Sequence, residues 1–189
     1  MTLVGAANLQ VTFHGVRGST PCHGPDTVRY GGNTACVSVR AADRTLVILD
    51  LGTGVRYLGD SITERPFRGT ALVSHLHWDH VQGLPFFTPL HRPGAVLEVF
   101  GPRLESGSLA ESLDRLMAPP FFPIRAGELP AEIALHDVGE DDFAVGSAKV
   151  RSRWVRHTDA TLGFRVEVAG RVIVYIPDHR SEEHTSELQ

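Results

Sequence analysis

The sequence has few cysteines, no long apolar run and no excess of basic residues. Its two cysteines, Cys22 and Cys36, do not form a C-x-x-C pair, so we expect a reduced, cytoplasmic protein rather than one held together by disulfides. No run of about 18 apolar residues occurs, so no segment is predicted to span a membrane. The net charge of −4 argues against a dedicated nucleic-acid-binding surface.

The composition is that of a folded protein rich in turns. Hydrophobic residues make up 42% of the chain, which is enough for a core, and 19 glycines and 12 prolines indicate many loops. We find no internal repeat and no linker that would divide the chain. The sequence therefore predicts one domain, which we assign to residues 1–179.

Apolar stretches with strand character alternate with turn signals and a few helical segments. The pattern predicts mixed sheets covered by helices. Helices are predicted at residues 54–63, 80–84 and 108–117, and strands at residues 9–16, 34–40, 45–51, 69–74, 96–101, 148–156, 162–168 and 171–176.

Residues 75–80, with the sequence HLHWDH, carry four metal-ligand side chains in one short stretch. Imidazole nitrogens and carboxylate oxygens are ligands that zinc and similar divalent cations prefer. In an extended chain His75 and His77 point the same way and are able to bind one ion together. Asp79 and His80 follow where the chain is expected to turn into a helix, so they are directed at a neighbouring position. One segment can thus contribute to two adjacent metal sites.

The pattern H-x-H-x-D-H after an apolar strand resembles the signature of the metallo-β-lactamase superfamily of hydrolases. The run LVILDLGTG at residues 46–54 resembles an earlier strand of that family, which ends in Asp-x-Gly. The opening FHGVRGSTP at residues 13–21, with YGGNT at residues 30–34, resembles the branch of ribonuclease Z-like and phosphodiesterase-like members. The resemblance implies an αβ/βα four-layer sandwich of two facing mixed sheets, with its C-terminal part missing from this chain.

The resemblance also implies a ligand set for two divalent metal ions. His157 matches the third histidine of the first site, beside His75 and His77, and Asp178 matches the carboxylate that bridges both ions. The second ion would take Asp79, His80 and Asp178. The family's last histidine, beyond the bridging aspartate, has no counterpart here. Zinc is the expected metal, with manganese and iron as alternatives, because the same ligands serve all three.

Other residues have expected roles around these ions. Asp79 is expected to be catalytic, because it can also orient the attacking water. Asp50 would fix the loop of residues 75–80 through its carboxylate; the alternative is an aspartate that only forms the turn before Gly52.

Four residues are candidates to contact the substrate, and their alternative roles are structural. Arg17 can bind a phosphate through two hydrogen bonds, but it can equally pair with a surface carboxylate. Asn33 and Thr34 can contact the substrate or only shape the glycine turn that precedes them. The candidates are Arg17, Ser19, Asn33 and Thr34.

The expected activity is metal-dependent hydrolysis of a phosphodiester, with a small-molecule or nucleotide substrate such as a cyclic nucleotide or an RNA end. Two alternatives remain: hydrolysis of a lactone, thioester or β-lactam, and a metal-binding fragment with little or no activity. Loss of a sheet's outer strands would expose apolar edges, which favours pairing of two copies as a homodimer.

Residues 180–189, RSEEHTSELQ, differ from the rest of the chain in having one aliphatic side chain and three glutamates. They resemble the translation of a widely used short-read sequencing adapter. We therefore expect a non-native tail after His179.

Overall fold

A computed structural model describes residues 9–179 and, for the backbone alone, residues 2–5. The expected non-native tail at residues 180–189 lies outside the described residues. The described residues contain three α-helices, α1 (Val55–Ser61), α2 (Trp78–Val81) and α3 (Leu109–Leu116). The strands are β1 (Thr2–Gly5), β2 (Leu9–Gly15), β3 (Cys36–Ala41), β4 (Leu46–Leu49), β5 (Arg68–Leu72), β6 (Val96–Pro102), β7 (Glu132–Val138), β8 (Asp142–Val145), β9 (Ala148–Trp154), β10 (Leu162–Val168) and β11 (Arg171–Tyr175).

The strands form two sheets that face each other. The first has seven strands in the order β1 to β7; β1–β4 are antiparallel neighbours, whereas β4–β7 are parallel. The second has the order β11-β10-β9-β8 and is antiparallel. Two mixed sheets were expected, and the second differs because short connections join its successive strands as hairpins.

Two apolar clusters hold the layers together. One lies between the sheets, where Val39 and Leu49 of the first sheet belong to the same cluster as Val150 and Phe164 of the second. The other lies on the opposite face of the first sheet, against α1 and α3. The described residues thus form three layers, a helical layer and two sheets, of the four expected. No helix among residues 9–179 covers the outer face of the second sheet.

Local sequence accounts for the position of α3. Ser108 accepts a hydrogen bond from the backbone N–H of Glu111, and the Glu111 carboxylate accepts one from the N–H of Ser108, which forms a capping box at the start of the helix. Leu109 and Leu113 lie four residues apart on the buried face. None of the helices in the described part of the chain is long and apolar enough to cross a membrane.

The topology directs four strand ends to one edge of the sandwich. β4 and β5 are parallel, so the residues that follow them emerge side by side. In the second sheet β9 and β11 are both antiparallel to β10, so they also run the same way. The backbone N–H of Leu162 donates to the carbonyl of Ser74 at 2.8 Å and joins the two sheets at this edge.

Candidate metal centre

Histidines and one aspartate from distant parts of the chain meet at this edge. His75 follows β5, His157 follows β9 and Asp178 follows β11. His77 lies at the start of α2. One ligand atom from each of these four residues falls within a group whose members are all within 4.8 Å of one another. The structure therefore brings together His75, His77, His157 and Asp178, which were predicted to share one ion.

The spacing in this group fits a tetrahedral cation. Metal–nitrogen bonds of about 2.05 Å in a tetrahedral zinc site place ligand atoms about 3.3 Å apart. Nδ1 of His77 lies 3.0 Å from Nε2 of His75 and 3.4 Å from Nε2 of His157. Oδ2 of Asp178 lies 3.7 Å from Nε2 of His75 and 3.7 Å from Nε2 of His157. The donor set of three imidazoles and a carboxylate suits zinc, manganese or iron.

A second group lies directly beside the first. Nε2 of His80 is 3.3 Å from Oδ2 of Asp79 and 3.7 Å from Oδ2 of Asp178. This nitrogen is buried and has no hydrogen bond of acceptable geometry with the described residues. A buried polar atom without a partner is costly unless something binds it, and a cation beside the two carboxylates would do so. Asp178 thus lies between two groups, within 3.7 Å of three imidazole nitrogens.

Asp50 is fully buried, and its hydrogen bonds hold the segment that carries the cluster residues. Its Oδ1 accepts from the backbone N–H of Ser74 at 2.6 Å, and its Oδ2 accepts from the hydroxyls of Ser74 at 2.9 Å and of Tyr175 at 2.8 Å. Nδ1 of His80 donates to the same oxygen at 2.7 Å, which leaves Nε2 of His80 directed at the second group. Asp50 therefore holds both a backbone position and an imidazole of the loop, a larger role than a turn requires.

The protonation states agree with cation binding in the first group. Burial, together with the neighbouring charges of His80, His77 and His157, lowers the pKa of His75 to about 3, so its imidazole is neutral near pH 7. Nδ1 of His75 lies 3.0 Å from the Ser74 hydroxyl; if it carries the proton, the Nε2 lone pair faces the cluster.

Burial alone would lower the pKa of His80, but its hydrogen bond to Asp50 and the charges of Asp50, Asp79 and Asp178 raise it. Burial and Asp50 raise the pKa of Tyr175 well above its ordinary value, so its hydroxyl remains a donor. In the absence of a cation, a proton on His80 is thus favoured by the same carboxylates that would favour a metal ion.

Asp159 contacts His77 and was not identified from the sequence as a residue of the site. Its Oδ2 lies 2.9 Å from Nε2 of His77, the ring nitrogen turned away from the cluster. A carboxylate that accepts the second ring N–H of a metal-binding histidine fixes the tautomer and the ring orientation. Asp159 follows His157 by two residues, so one loop supplies a cluster residue and the support for another. That short spacing is the signal in the sequence that could have identified it.

Asp79 is held in place by the loop that contains Arg17 and Ser19. The backbone N–H of Ser19 donates to Oδ2 of Asp79 at 2.7 Å, and Ser19 adopts a φ of 65° to do so. Arg17 is exposed and lines a cavity of 230 Å³ together with His80 and Asp178. The loop therefore places one charged side chain next to the second group.

Asn33 and Thr34 are engaged in structural contacts. Thr34 is fully buried, and its Oγ1 accepts from the N–H of Thr53 at 2.8 Å. Oδ1 of Asn33 accepts from the Thr53 hydroxyl at 3.3 Å. The buried side chain of Thr34 therefore joins the residue-34 segment to the segment that precedes α1, which is the structural alternative and not the substrate contact for which it was a candidate. Asn33 lines a cavity of 630 Å³ that none of the four clustered residues lines.

Solved structures with similar folds support the architecture. The metallo-β-lactamase fold protein YhfI from Bacillus subtilis is 14% identical, with a TM-score of 0.62, over 88% of this chain and 61% of that one. Human tRNase Z, short form, is 21% identical with a TM-score of 0.62, over 87% and 67%. A diphosphatase of the PhnP family is 20% identical with a TM-score of 0.60, over 84% and 62%. The chain thus spans roughly two thirds of the length of these proteins.

The search of curated proteins gave no match. A family model described as a β-lactamase superfamily domain matches residues 64–188, which is well over half of the chain and includes the HLHWDH motif, His157 and Asp178. Together with the two facing sheets and the histidine and aspartate cluster at their edge, this match establishes that the chain belongs to the β-lactamase superfamily and has the metallo-β-lactamase fold.

Proposed function

We propose that this protein is a metal-dependent hydrolase of phosphodiesters that uses two divalent cations, with zinc as the metal. The observation that carries the proposal is the position of Asp178. One carboxylate oxygen lies 3.7 Å from imidazoles of both groups, which is the arrangement needed by a ligand shared between neighbouring ions. When bound, such a pair of cations supplies a hydroxide at neutral pH and stabilises charge on a phosphoryl oxygen.

The chain's own residues position the reactants. Asp79 accepts from the N–H of Ser19, so its carboxylate is fixed beside the second group and can accept a hydrogen bond from a nucleophilic water. Asp50 and Asp159 orient His80 and His77. These hydrogen bonds restrict the orientation of the side chains that would hold the cations.

A phosphodiester is favoured over a lactone, thioester or β-lactam by Arg17. Its exposed side chain lines the cavity that also contains His80 and Asp178, so a phosphate anion held near the second group would have a guanidinium within the same cavity. The names of two similar structures, tRNase Z and diphosphatase, agree with a substrate in which a P–O bond is cleaved.

Metal analysis and turnover of the same sample test this function. We expect two equivalents of zinc per chain after reconstitution, and hydrolysis of bis(p-nitrophenyl) phosphate that chelation abolishes and zinc restores. Turnover of a chromogenic β-lactam, lactone or thioester without phosphodiester hydrolysis would contradict the proposed substrate. One equivalent of metal with no turnover of any ester would instead support the metal-binding fragment.

Asp79→Asn should keep the fold and remove most turnover. The amide can still accept from the N–H of Ser19, but it lacks the negative charge that faces the second group and orients a water. We expect kcat to fall roughly 100- to 10,000-fold, the range found for positioned acid–base groups. Steady-state kinetics at saturating zinc and the thermal midpoint are measured together. Asp60→Asn, an exposed residue of α1, is the matched control; unchanged kcat in Asp79→Asn would refute its role.

A further inference from the structure

Trp154 is an inward-facing residue that the fold leaves uncovered. Along β9 the side chains alternate, and Ala148, Val150 and Ser152 are buried between the sheets. Trp154 continues this face by its position in the strand, yet 43% of its surface is exposed. The exposure arises because β9 ends at the edge where the metal cluster lies. The indole ring of Trp154 is thus accessible at the edge of the sandwich that carries the metal cluster.

The ring borders a cleft that starts at the metal cluster. The cleft has a volume of 730 Å³, and His77 and His157 line one part of it. Arg103, which directly follows β6, and Arg115 of α3 line it as well. The side chains of Trp154 and Arg103 both lie beside Gly139. A methyl group placed on the Cα of Gly139 would be 3.5 Å from Cζ2 of Trp154 and 3.9 Å from Nη1 of Arg103. An aromatic surface and a guanidinium are therefore adjacent within one cavity.

The two arginines are available to an anion. Within residues 9–179, neither guanidinium forms an ion pair with a carboxylate, whereas Arg125, Arg151 and Arg165 do. Two acidic side chains also line the cleft, but that of Asp159 is engaged by His77. Glu105 is the other, and it is exposed. Arg103 thus lies next to Trp154 without an ion pair, and the nearby Asp141 carboxylate, 4.0 Å from the same methyl position, accepts a hydrogen bond from the N–H of Gly139.

We propose that this cleft binds a nucleoside phosphate, with the base stacked on Trp154 and a phosphate oxygen bound by Arg103. Every nucleobase has a flat face that an exposed aromatic ring can stack against, and a guanidinium binds phosphate oxygens bidentately. The inference rests on the proposed phosphodiester hydrolysis, because it assigns the cleft to the nucleoside part of that substrate. The phosphodiesters hydrolysed are then those of nucleotides.

Kinetics with two substrates that share a leaving group test the assignment. Thymidine 5′-(p-nitrophenyl phosphate) carries a nucleoside, whereas methyl p-nitrophenyl phosphate does not. We expect Trp154→Ala to lower kcat/KM roughly 10- to 100-fold for the nucleoside substrate alone, as expected from loss of base stacking. Trp154→Phe should restore much of the loss, because a ring is retained. An equal fall for both substrates would overturn the inference and leave phosphodiester hydrolysis standing.

A binding measurement keeps the inference testable if the zinc-loaded chain hydrolyses no phosphodiester, an outcome that counts against the proposed function alone. The chain has two tryptophans, so Trp78→Phe leaves Trp154 as the single indole, and Trp154→Phe leaves Trp78, which is 63% exposed. In the presence of chelator, adenosine monophosphate should saturably quench the fluorescence of the first variant and not of the second. No quenching, or equal quenching by inorganic phosphate, would refute base stacking at Trp154.

Discussion

Replacing Asp178 with alanine should remove metal from both groups of the cluster and lower phosphodiester hydrolysis by roughly 1,000-fold or more. Its Oδ2 is the atom that the two groups share, 3.7 Å from the Nε2 atoms of His75, His157 and His80. Without it, a cation at the first group would keep three neutral imidazoles and lose its charged ligand. A cation at the second group would keep only Asp79 and His80.

Metal content after dialysis against limiting zinc is the decisive measurement, with turnover as the second readout. Asp114→Ala is the matched control, because this partly exposed carboxylate pairs with Arg125 and belongs to neither group. It should retain the wild-type metal content. If Asp178→Ala retains two equivalents with wild-type affinity, the two groups do not share this ligand, and the proposed pair of cations is refuted.

The part of the site that could be predicted from sequence is the part encoded locally. The HLHWDH motif places its ligands through strand and helix geometry alone, although the helix predicted at residues 80–84 is observed two residues earlier, as α2 (Trp78–Val81). His157 and Asp178 are 80 and 101 residues beyond His77, and no spacing rule connects them to it. Only the resemblance to a family selected them, and the topology explains why they meet, since β9 and β11 end at the edge where β5 ends.

The supporting contacts could not be predicted, because they form only when the sheets pack. Tyr175 belongs to the second sheet and Asp50 follows β4 of the first, 125 residues earlier, so their hydrogen bond depends on the distance between the sheets. Thr34 is a candidate for which two roles were left open, and the sheet packing selects the structural one. A polar residue shortly after two glycines suggests an exposed turn. The hydroxyl of Thr34 is instead buried and accepts a hydrogen bond from the backbone N–H of Thr53. Burial of a hydroxyl with a partner is not visible in sequence composition.

The sequence predicted the longer helices and the buried strands, but it did not predict every edge strand. The helices predicted at residues 54–63 and 108–117 are observed as α1 and α3 with slightly narrower bounds. Besides β1, both β7 and β8 were missed, and these two lie at the edges of their sheets. Their burial is partial and their sequences, EIALHDV and DFAV, contain charged residues, so neither forms the continuous apolar run that marks β4.

Asp50→Ala should be the most destabilising single substitution near the site, with a loss of roughly 3 to 5 kcal/mol in the free energy of unfolding. Asp50 is fully buried and accepts hydrogen bonds from Ser74, His80 and Tyr175. Alanine leaves all of these donors buried without their acceptor. It also removes the negative charge that stabilises a protonated His80, so the raised pKa of His80 should fall.

Urea unfolding in the presence of chelator measures the folding term alone, since lost cation binding then cannot contribute. Tyr175→Phe gives a graded comparison, because it removes one of the hydrogen bonds to Asp50 and should cost only about 1 kcal/mol. Asp60→Ala, at an exposed position on α1, should change the free energy of unfolding little. If Asp50→Ala unfolds at the same urea concentration as Asp60→Ala, the buried carboxylate does not hold the two sheets and the His80 loop together.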